Sequence, residues 1–256
     1  MIEISSIYKN FEEQAVLKGI SAVFEDGKTN LIIGKSGAGK TVLLKCVVGL
    51  LNPDKGKIYY DGRDIVSFNK KEKMLLRREI GMLFQNAALF DSMSVLENVM
   101  FPLDMFSDMT YKERVKRAQF CLDRVNLIEA QDKRPDELSG GMQKRAAIAR
   151  AIALEPRYLF CDEPNSGLDP QTSLRIDELI HDITKEYQIT TIVNTHDMNS
   201  VMGIGDHILF LADGNLSWEG NKDEILHTTN ETLNDFLFSS DILRKVREMA
   251  KQEAQI

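Results

Sequence analysis

Gly34-Lys35-Ser36-Gly37-Ala38-Gly39-Lys40-Thr41 follows a short apolar run, Leu31-Ile32-Ile33, and opens a helix-like segment from Thr41 to Leu50. Strand, glycine-rich turn and helix in that order make G-x-x-x-x-G-K-[ST] a phosphate cradle. The glycines let the backbone curl so that several N–H groups converge on one anion. The helix N-terminus adds partial positive charge at the same point. Lys40 can reach β- and γ-phosphates, and the Thr41 hydroxyl can hold Mg²⁺.

Upstream of the cradle, residues 1 to 30 read as strands. Ile2, Ile4 and Ile7 begin one, and Ala15 to Phe24 holds another that ends in the turn Glu25-Asp26-Gly27-Lys28. Phe11 falls in the loop between them, where an aromatic ring either stacks on a nucleotide base or fills a core. Downstream, Asn52 to Gly56 is a turn, and Lys57 to Gly62 is a strand closed by Asp-Gly. Lys70 to Arg78 is a charged, helix-like stretch, and Ile80 to Phe84 is a strand ending at Gln85.

From Asn86 to about Asp136 the strand runs disappear. Val95, Val99 and Leu103, then Val115, Ala118, Leu122 and Val125, recur at helical spacing, with Pro102 and Pro135 as punctuation. This predicts a helical subdomain inserted into an α/β core. A helix over Met142 to Leu154 follows, ended by Glu155-Pro156. Tyr158-Leu159-Phe160-Cys161 is a continuous apolar run, as in strands buried on both faces of a parallel sheet. Gln171 to Tyr187 reads as helix, and Ile189 to Asn194 as strand. Ile208 to Leu211, Asp213-Gly214-Asn215 and Leu216 to Trp218 form a closing hairpin. The alternation predicts an α/β fold with a mainly parallel sheet, the hairpins adding a flanking antiparallel sheet.

Composition bounds the function. The 256 residues are 43% hydrophobic, enough for a sizeable core, and the formal charge of -7 argues against nucleic acid as the main partner. Cys46, Cys121 and Cys161 form no CxxC pair, which fits a reducing compartment. The four histidines and these cysteines show no zinc spacing. Met1 to Ser6 alternates like a strand rather than a signal peptide, and no run approaches about 18 uninterrupted apolar residues. The expectation is a cytoplasmic protein, free or held against a membrane by another chain.

Two further stretches carry chemistry. Asp162-Glu163 ends the apolar strand, and desolvating two adjacent carboxylates is costly without partners. Bound Mg²⁺ and a water would supply them, with Asp162 supporting the metal and Glu163 polarising the attacking water. Leu138-Ser139-Gly140-Gly141 places small residues before a helix N-terminus and so offers a second anion site. Ser139 either donates to a γ-phosphate or serves as an ordinary N-cap, and Gly141 permits close backbone approach.

The cradle, Gln85, Leu138-Ser139-Gly140-Gly141, Asp162-Glu163 and His196, in that order at these separations, resemble an ATP-binding cassette (ABC) ATPase over residues 1–230. The resemblance implies the ABC variant of the P-loop NTPase fold. Its core with an antiparallel β subdomain would take residues 1–85 and 157–230, the helical subdomain 86–156, and a C-terminal helical extension 231–256. In that extension Leu233, Phe236, Leu237, Leu243, Val246 and Met249 line one helical face, which packs on its own domain or grips a partner. By the same resemblance Phe11 stacks on the base of ATP, and Gly34, Lys35, Ser36, Gly37, Ala38, Gly39, Lys40 and Thr41 hold its phosphates. Gln85 links Mg²⁺ and water to the helical subdomain, so that Thr41, Gln85 and Asp162 surround the metal, Asp162 through water. Glu163 and His196 serve hydrolysis, His196 at the γ-phosphate. Asp169 crosses to a second subunit. Ser139, Gly140 and Gly141 face the ATP of that second copy in a head-to-tail homodimer. Met142 departs from the family's commoner Gln and cannot reproduce its hydrogen bonds.

Phe84 to Val99, with Gly34 to Lys45 and Leu138 to Met142, is similar to the ATPases of Mla (MCE-type) lipid transport systems. That likeness implies phospholipid transport between the membranes of a Gram-negative bacterium. The ATPase would sit on the cytoplasmic face of the inner membrane beneath a permease. A periplasmic MCE-type lipid-binding subunit and a small accessory cytoplasmic subunit complete the implied complex. No residue of this chain itself shows lipid chemistry. An ABC ATPase for a non-lipid solute is the alternative. A non-transport ABC protein is disfavoured by the single cassette and acidic charge, and a non-hydrolysing sensor by the pairing of Glu163 with His196.

Overall fold

The structure, a computed structural model, describes residues 1–12 and 14–237. Leu243, Val246 and Met249, expected on a C-terminal helix, lie outside the described residues. A six-stranded sheet forms the centre, in the order β10 (Asn215–Gly220), β9 (His207–Ala212), β3 (Thr29–Ile33), β8 (Thr190–Asn194), β7 (Tyr158–Asp162), β6 (Ile80–Leu83). All pairs except β9–β10 are parallel. Every residue of β3, β7 and β8 is buried, the polar Thr29, Asn30, Thr190, Thr191 and Asn194 included. Successive side chains pass to opposite faces and feed two cores. Leu31, Ile33, Leu159, Cys161, Val193 and Phe210 join one, while Ile32, Phe160, Ile192 and Leu209 join the other.

The second core is roofed by an antiparallel sheet of order β2 (Gln14–Phe24), β1 (Ile2–Phe11), β4 (Lys55–Tyr60), β5 (Arg63–Asp64). Ile2, Ile4 and Ile7 point inward from β1. Tyr60 joins the two sheets: its ring meets Tyr158 of β7 edge-on at 4.6 Å, and its hydroxyl donates to Val47 O at 2.8 Å. Two expectations change here. The closing hairpin belongs to the central sheet, because β9 pairs in parallel with β3, Asn30 against His207. Phe11 is the last residue of β1, paired with Gln14, rather than a loop residue.

The first core is covered by helices. α1 (Lys40–Val47) and α2 (Lys70–Arg78) belong to the roofed side, and α3 (Val95–Phe106), α4 (Tyr111–Arg124), α5 (Gly140–Ala151) and α6 (Pro170–Tyr187) pack on the other. Val95, Val99, Leu103, Ala118 and Leu122 are all buried, as their spacing predicts. Ser94 with Glu97 and Thr110 with Glu113 form capping boxes that start α3 and α4. Pro102 does not end α3 but lies inside it, the helix running on at the loss of one ladder donor. α5 begins at Gly140, earlier than the apolar spacing indicates, because Ser139 is its N-cap. Three short helices follow: α7 (Met198–Ile204), α8 (Lys222–Ile225) and α9 (Glu231–Leu237). α9 buries Leu233 and Leu237 and sets Phe236 against Phe210 at 5.4 Å, so this part of the C-terminal segment packs on its own domain.

Candidate nucleotide site

The cradle sits where β3 hands over to α1. Gly34 has φ +150°, and a Cβ there would lie 2.3 Å from the carbonyl oxygen of Leu211 in β9, so only glycine lets the loop leave the sheet at this point. Gly37 and Gly39 also take positive φ, and Gly39 immediately precedes α1. Lys40 is buried, with Nζ donating to Gly34 O at 2.8 Å and Lys35 O at 3.2 Å. Burial holds its ammonium below the ordinary lysine range, opposed by the Glu163 and Asp162 carboxylates. A cavity of about 820 Å³ opens over the loop, lined by Val16, residues of the cradle, Glu163 and His196, and by Asp235 and Phe236 of α9.

Beside the cradle, the ends of β7 and β8 bring a carboxylate and an amide together. Asp162 pairs in register with Asn194. Asn194 Nδ2 donates to Asp162 Oδ1 at 2.5 Å and to Thr41 Oγ1 at 3.1 Å, and Thr41 Oγ1 donates to Asp162 Oδ1 at 3.3 Å. Glu163 follows with φ +46°, a strained conformation for a non-glycine residue. Its Oε2 accepts from Gln85 Nε2 at 3.0 Å, and its Oε1 lies 3.2 Å from His196 Nδ1. Gln85, Glu163 and His196, far apart in sequence, thus form one cluster.

Gln85 is also held from behind. Lys144 of α5, itself buried, donates from Nζ to the Gln85 carbonyl. Arg150, two turns on, donates to Ala87 O and Ala88 O, both at 2.7 Å, bracing two residues with positive φ. Burial lowers the pKa of Lys144, with Cys161, Glu163 and Asp162 opposing the shift. Lys144, Arg150 and Asn194 were not singled out by sequence. Asn194 alone left a trace, as a polar residue ending an apolar strand.

Leu138–Gly141, the signature stretch, lies elsewhere. Ser139 caps α5, its hydroxyl accepting from Met142 N at 3.3 Å. A Cβ on Gly141 would meet Thr172 Cγ2 at 2.6 Å, so glycine is required there by the N-terminus of α6. Ser139, Gly140 and Gly141 line a separate cavity of about 710 Å³ with Asp169, Arg145 and Arg175. Phe11 is 45% exposed with Lys9 Nζ 5.6 Å from its ring centre, and is not among the residues lining the cradle cavity.

The donors fit Mg²⁺. Thr41 Oγ1 and Asp162 Oδ1 are hard oxygens held side by side, and Asn194 Oδ1 is buried with no partner among the described residues. Mg²⁺ takes few protein ligands and completes its shell with phosphate and water. Among the described residues no group of three or more His, Cys, Asp or Glu side chains is placed to hold a metal. The Gln85 side chain donates from Nε2 to Glu163 and Ser166, which leaves its Oε1, the atom a metal would take, outside those bonds.

A phosphate cradle, a carboxylate pair and a capped glycine pair on this two-sheet fold define a nucleotide-hydrolysing cassette. The chain belongs to the ABC transporter family: the family model described as "ABC transporter" matches residues 17–166. It is similar to the methionine import ATP-binding protein MetN of Clostridioides difficile, with 37% identity over 95% of this chain and 75% of that protein. It is also similar to the probable ribonucleotide transport ATP-binding protein mkl of Mycobacterium tuberculosis, with 34% identity over 92% and 66%. Among solved structures, cbiO1 from Clostridium perfringens, part of the complex cbiONQ, aligns over 98% of each chain at 30% identity and a TM-score of 0.82. The dimeric cassette MJ0796, in a post-hydrolysis state bound to ADP and Pi, aligns over 87% of this chain and 99% of its own at 33% identity and a TM-score of 0.79. The protein is an ATP-hydrolysing subunit of the ABC type, a class that dimerises and works with membrane permease subunits. MetN and mkl carry names for methionine and ribonucleotide transport, which leave the expected lipid specificity without support.

Proposed function

We propose that this chain drives a membrane transporter as a head-to-tail homodimer, each ATP lying between one copy's cradle and the other's signature stretch. One observation carries the reading: the cradle and Ser139–Gly141 line separate cavities of one chain, so each half-site needs a second copy to complete it. Residues 34–41 hold the phosphates of ATP, Lys40 by charge-assisted hydrogen bonds. Thr41 and Asp162 hold Mg²⁺, which neutralises phosphate charge when bound. Glu163 accepts a proton from the attacking water. Gln85 and His196, each within 3.2 Å of that carboxylate, orient it and report on it. Phe11, exposed at the end of β1 and outside the cavity lined by the cradle, is the ring proposed for the base.

Among the described residues no helix is long and apolar enough to cross a membrane, so the membrane step falls to permease subunits. For the cargo, the relatives favour a solute other than lipid. Phospholipid is the second reading, carried by the likeness of Phe84 to Val99 to Mla-type ATPases. It would add a periplasmic MCE-type subunit, an accessory cytoplasmic subunit and a place on the inner membrane. Purification of the complex in mild detergent from native membranes separates the two: bound phospholipid beside an MCE-type subunit supports the second, and any other permease partner the first. The catalytic assignment is tested by Glu163→Gln. The variant should bind ATP normally and release phosphate at least about 100-fold more slowly. Turnover within tenfold of the native rate, on the order of 1.4 kcal/mol in barrier, would reassign the base.

A further inference from the structure

Behind the two loops that carry Glu163 and His196 lies a buried carboxylate with no part in the proposed reaction. Asp177, on α6, is 3% exposed. Its Oδ1 accepts from Asn165 Nδ2 at 2.8 Å and its Oδ2 from Ser200 Oγ at 2.7 Å, while Asn165 Nδ2 also reaches Ser200 Oγ at 3.1 Å. Asn165 stands just past Glu163, in the loop that leads to Asp169. Ser200 stands just past His196, in the first turn of α7. The two loops face each other across a cavity of about 430 Å³ lined by Glu163, Asn165, His196 and Asp197. One carboxylate on a third element therefore ties both loops together.

The cluster is not arranged for stability. Among the described residues no ammonium or guanidinium pairs with Asp177. The charged or titratable groups whose fields reach it include Asp197 ahead of α7, the exposed Glu178 next along its own helix and Cys161 in β7, none of them a cation. Burial pushes its carboxyl up to about 6, with Asp197 and Glu178 adding to the rise and the Ser200 and Asn165 hydrogen bonds opposing it. Asn165 also leaves its Oδ1 buried without a partner. Its amide is turned to serve the carboxylate at the expense of its own acceptor. An apolar side chain would fill this position at lower cost.

We propose that Asp177 is a positioning residue for hydrolysis, a clamp that joins the Glu163 loop to the His196 loop so that base and histidine keep one geometry and move as a unit. The proposal rests on the reading of Glu163 and His196 given above. It accounts for how Glu163, with its strained φ, and His196 keep their contact although they come from different loops: Asp177 fixes the segments that follow both.

The test is steady-state ATP turnover of the full chain carrying Asp177→Leu. The expected result is a fall in kcat of about tenfold or more with KM for ATP within about twofold, since the cradle is untouched. Asp177→Asn keeps one acceptor for Asn165 and should restore part of the rate. Asn165→Ala should lower kcat as well, and the double variant should lose little beyond the worse single, as members of one cluster do. Native kcat in a folded Asp177→Leu chain, or strictly additive losses, would overturn the clamp. If Asp177→Leu does not fold, Asn165→Ala and Ser200→Ala read the same coupling: non-additive falls in kcat support it, and additive or absent falls overturn it. Glu163→Gln run alongside separates the two levels. Turnover retained there removes the catalytic reading itself, whereas turnover lost there with native turnover in Asp177→Leu removes the clamp alone.

Discussion

Asn194→Ala probes how the carboxylate end of the site is built. Asn194 is fully buried and donates both to Asp162 and to Thr41. Losing a hydrogen bond to an ionised carboxylate costs about 1.5–3 kcal/mol, and losing one to a neutral hydroxyl about 0.5–1.5 kcal/mol. Asp162 is only 8% exposed, so water replaces the lost donor poorly. Two features limit the damage. Thr41 still donates to Asp162, and the Asn194 oxygen has no partner to surrender among the described residues. The balance is a destabilisation of about 2–4 kcal/mol. At roughly 2–4 °C per kcal/mol for a chain of this size, the thermal midpoint should fall by roughly 5–15 °C, read by calorimetry or circular dichroism. Asn194→Asp is the companion variant. It sets a like charge against Asp162 and should destabilise further at neutral pH, with part of the loss recovered on acidification. A midpoint for Asn194→Ala within about 2 °C of the native one, on the order of 0.5 kcal/mol, would refute the view that this amide holds Asp162 in place.

Other consequences follow from the same geometry. Lys40→Ala removes the ammonium that donates to Gly34 O and Lys35 O over the cradle and should weaken ATP binding roughly 10- to 100-fold by equilibrium titration; native affinity would reject the phosphate-cradle assignment. Gly141→Ala forces a methyl against Thr172, whose hydroxyl and N–H are both pinned by Asp169, and should cost about 1–3 kcal/mol in denaturant unfolding. Thr172→Ser deletes the clashing methyl, so the double variant should recover most of that loss, and additive losses would place the constraint elsewhere. The raised carboxyl of Asp177 gives a pH signature. Between the ordinary value of 3.8 and about 6 the folded chain keeps a proton the unfolded chain has lost, so its contribution to stability declines across that window and is gone above it. The stability of the native chain minus that of Asp177→Asn should therefore drop by up to about 3 kcal/mol from pH 4 to pH 6.5, and a flat difference would mean that the carboxyl is not raised.

Much of the fold was legible because its signals are local. The run Tyr158–Cys161 announced a buried parallel strand through continuous apolar character, and Leu31–Ile33 and Ile189–Asn194 were legible as strands beside it. The helical spacing of Val95, Val99 and Leu103 found α3. The starts of α3 and α4, set by the capping boxes Ser94–Glu97 and Thr110–Glu113, came with the structure rather than from the apolar spacing. Long-range pairing was not legible. The turn at Asp213–Asn215 specifies a hairpin but says nothing of which sheet it joins, and that is settled by β9 lying against β3, nearly 180 residues away in sequence. The site divides in the same way. The cradle and the carboxylate pair are contiguous stretches, so they could be found. Lys144 and Arg150 act through backbone carbonyls of another segment, and such contacts leave no pattern in their own sequence.

Gln85 shows why those unpatterned contacts matter. Its backbone oxygen is held by Lys144 from the signature helix, and its side-chain amide holds Glu163. Arg150 fixes the next turn of the same loop from the same helix. α5 therefore cannot shift relative to the central sheet without changing the hydrogen bond at the candidate base or tearing Lys144, a buried ammonium, from its partner, which is costly. The N-terminus of α5 also abuts α6 through Gly141 and Thr172, beside Asp169. A ligand that moves Ser139–Gly141 thus acts on Glu163 from both sides, through Gln85 on one and through the loop anchored by Asp177 on the other. Two rigid routes converging on one strained carboxylate leave it few independent positions. In the proposed head-to-tail dimer, hydrolysis in one chain would then depend on how the other chain's nucleotide seats the signature helix.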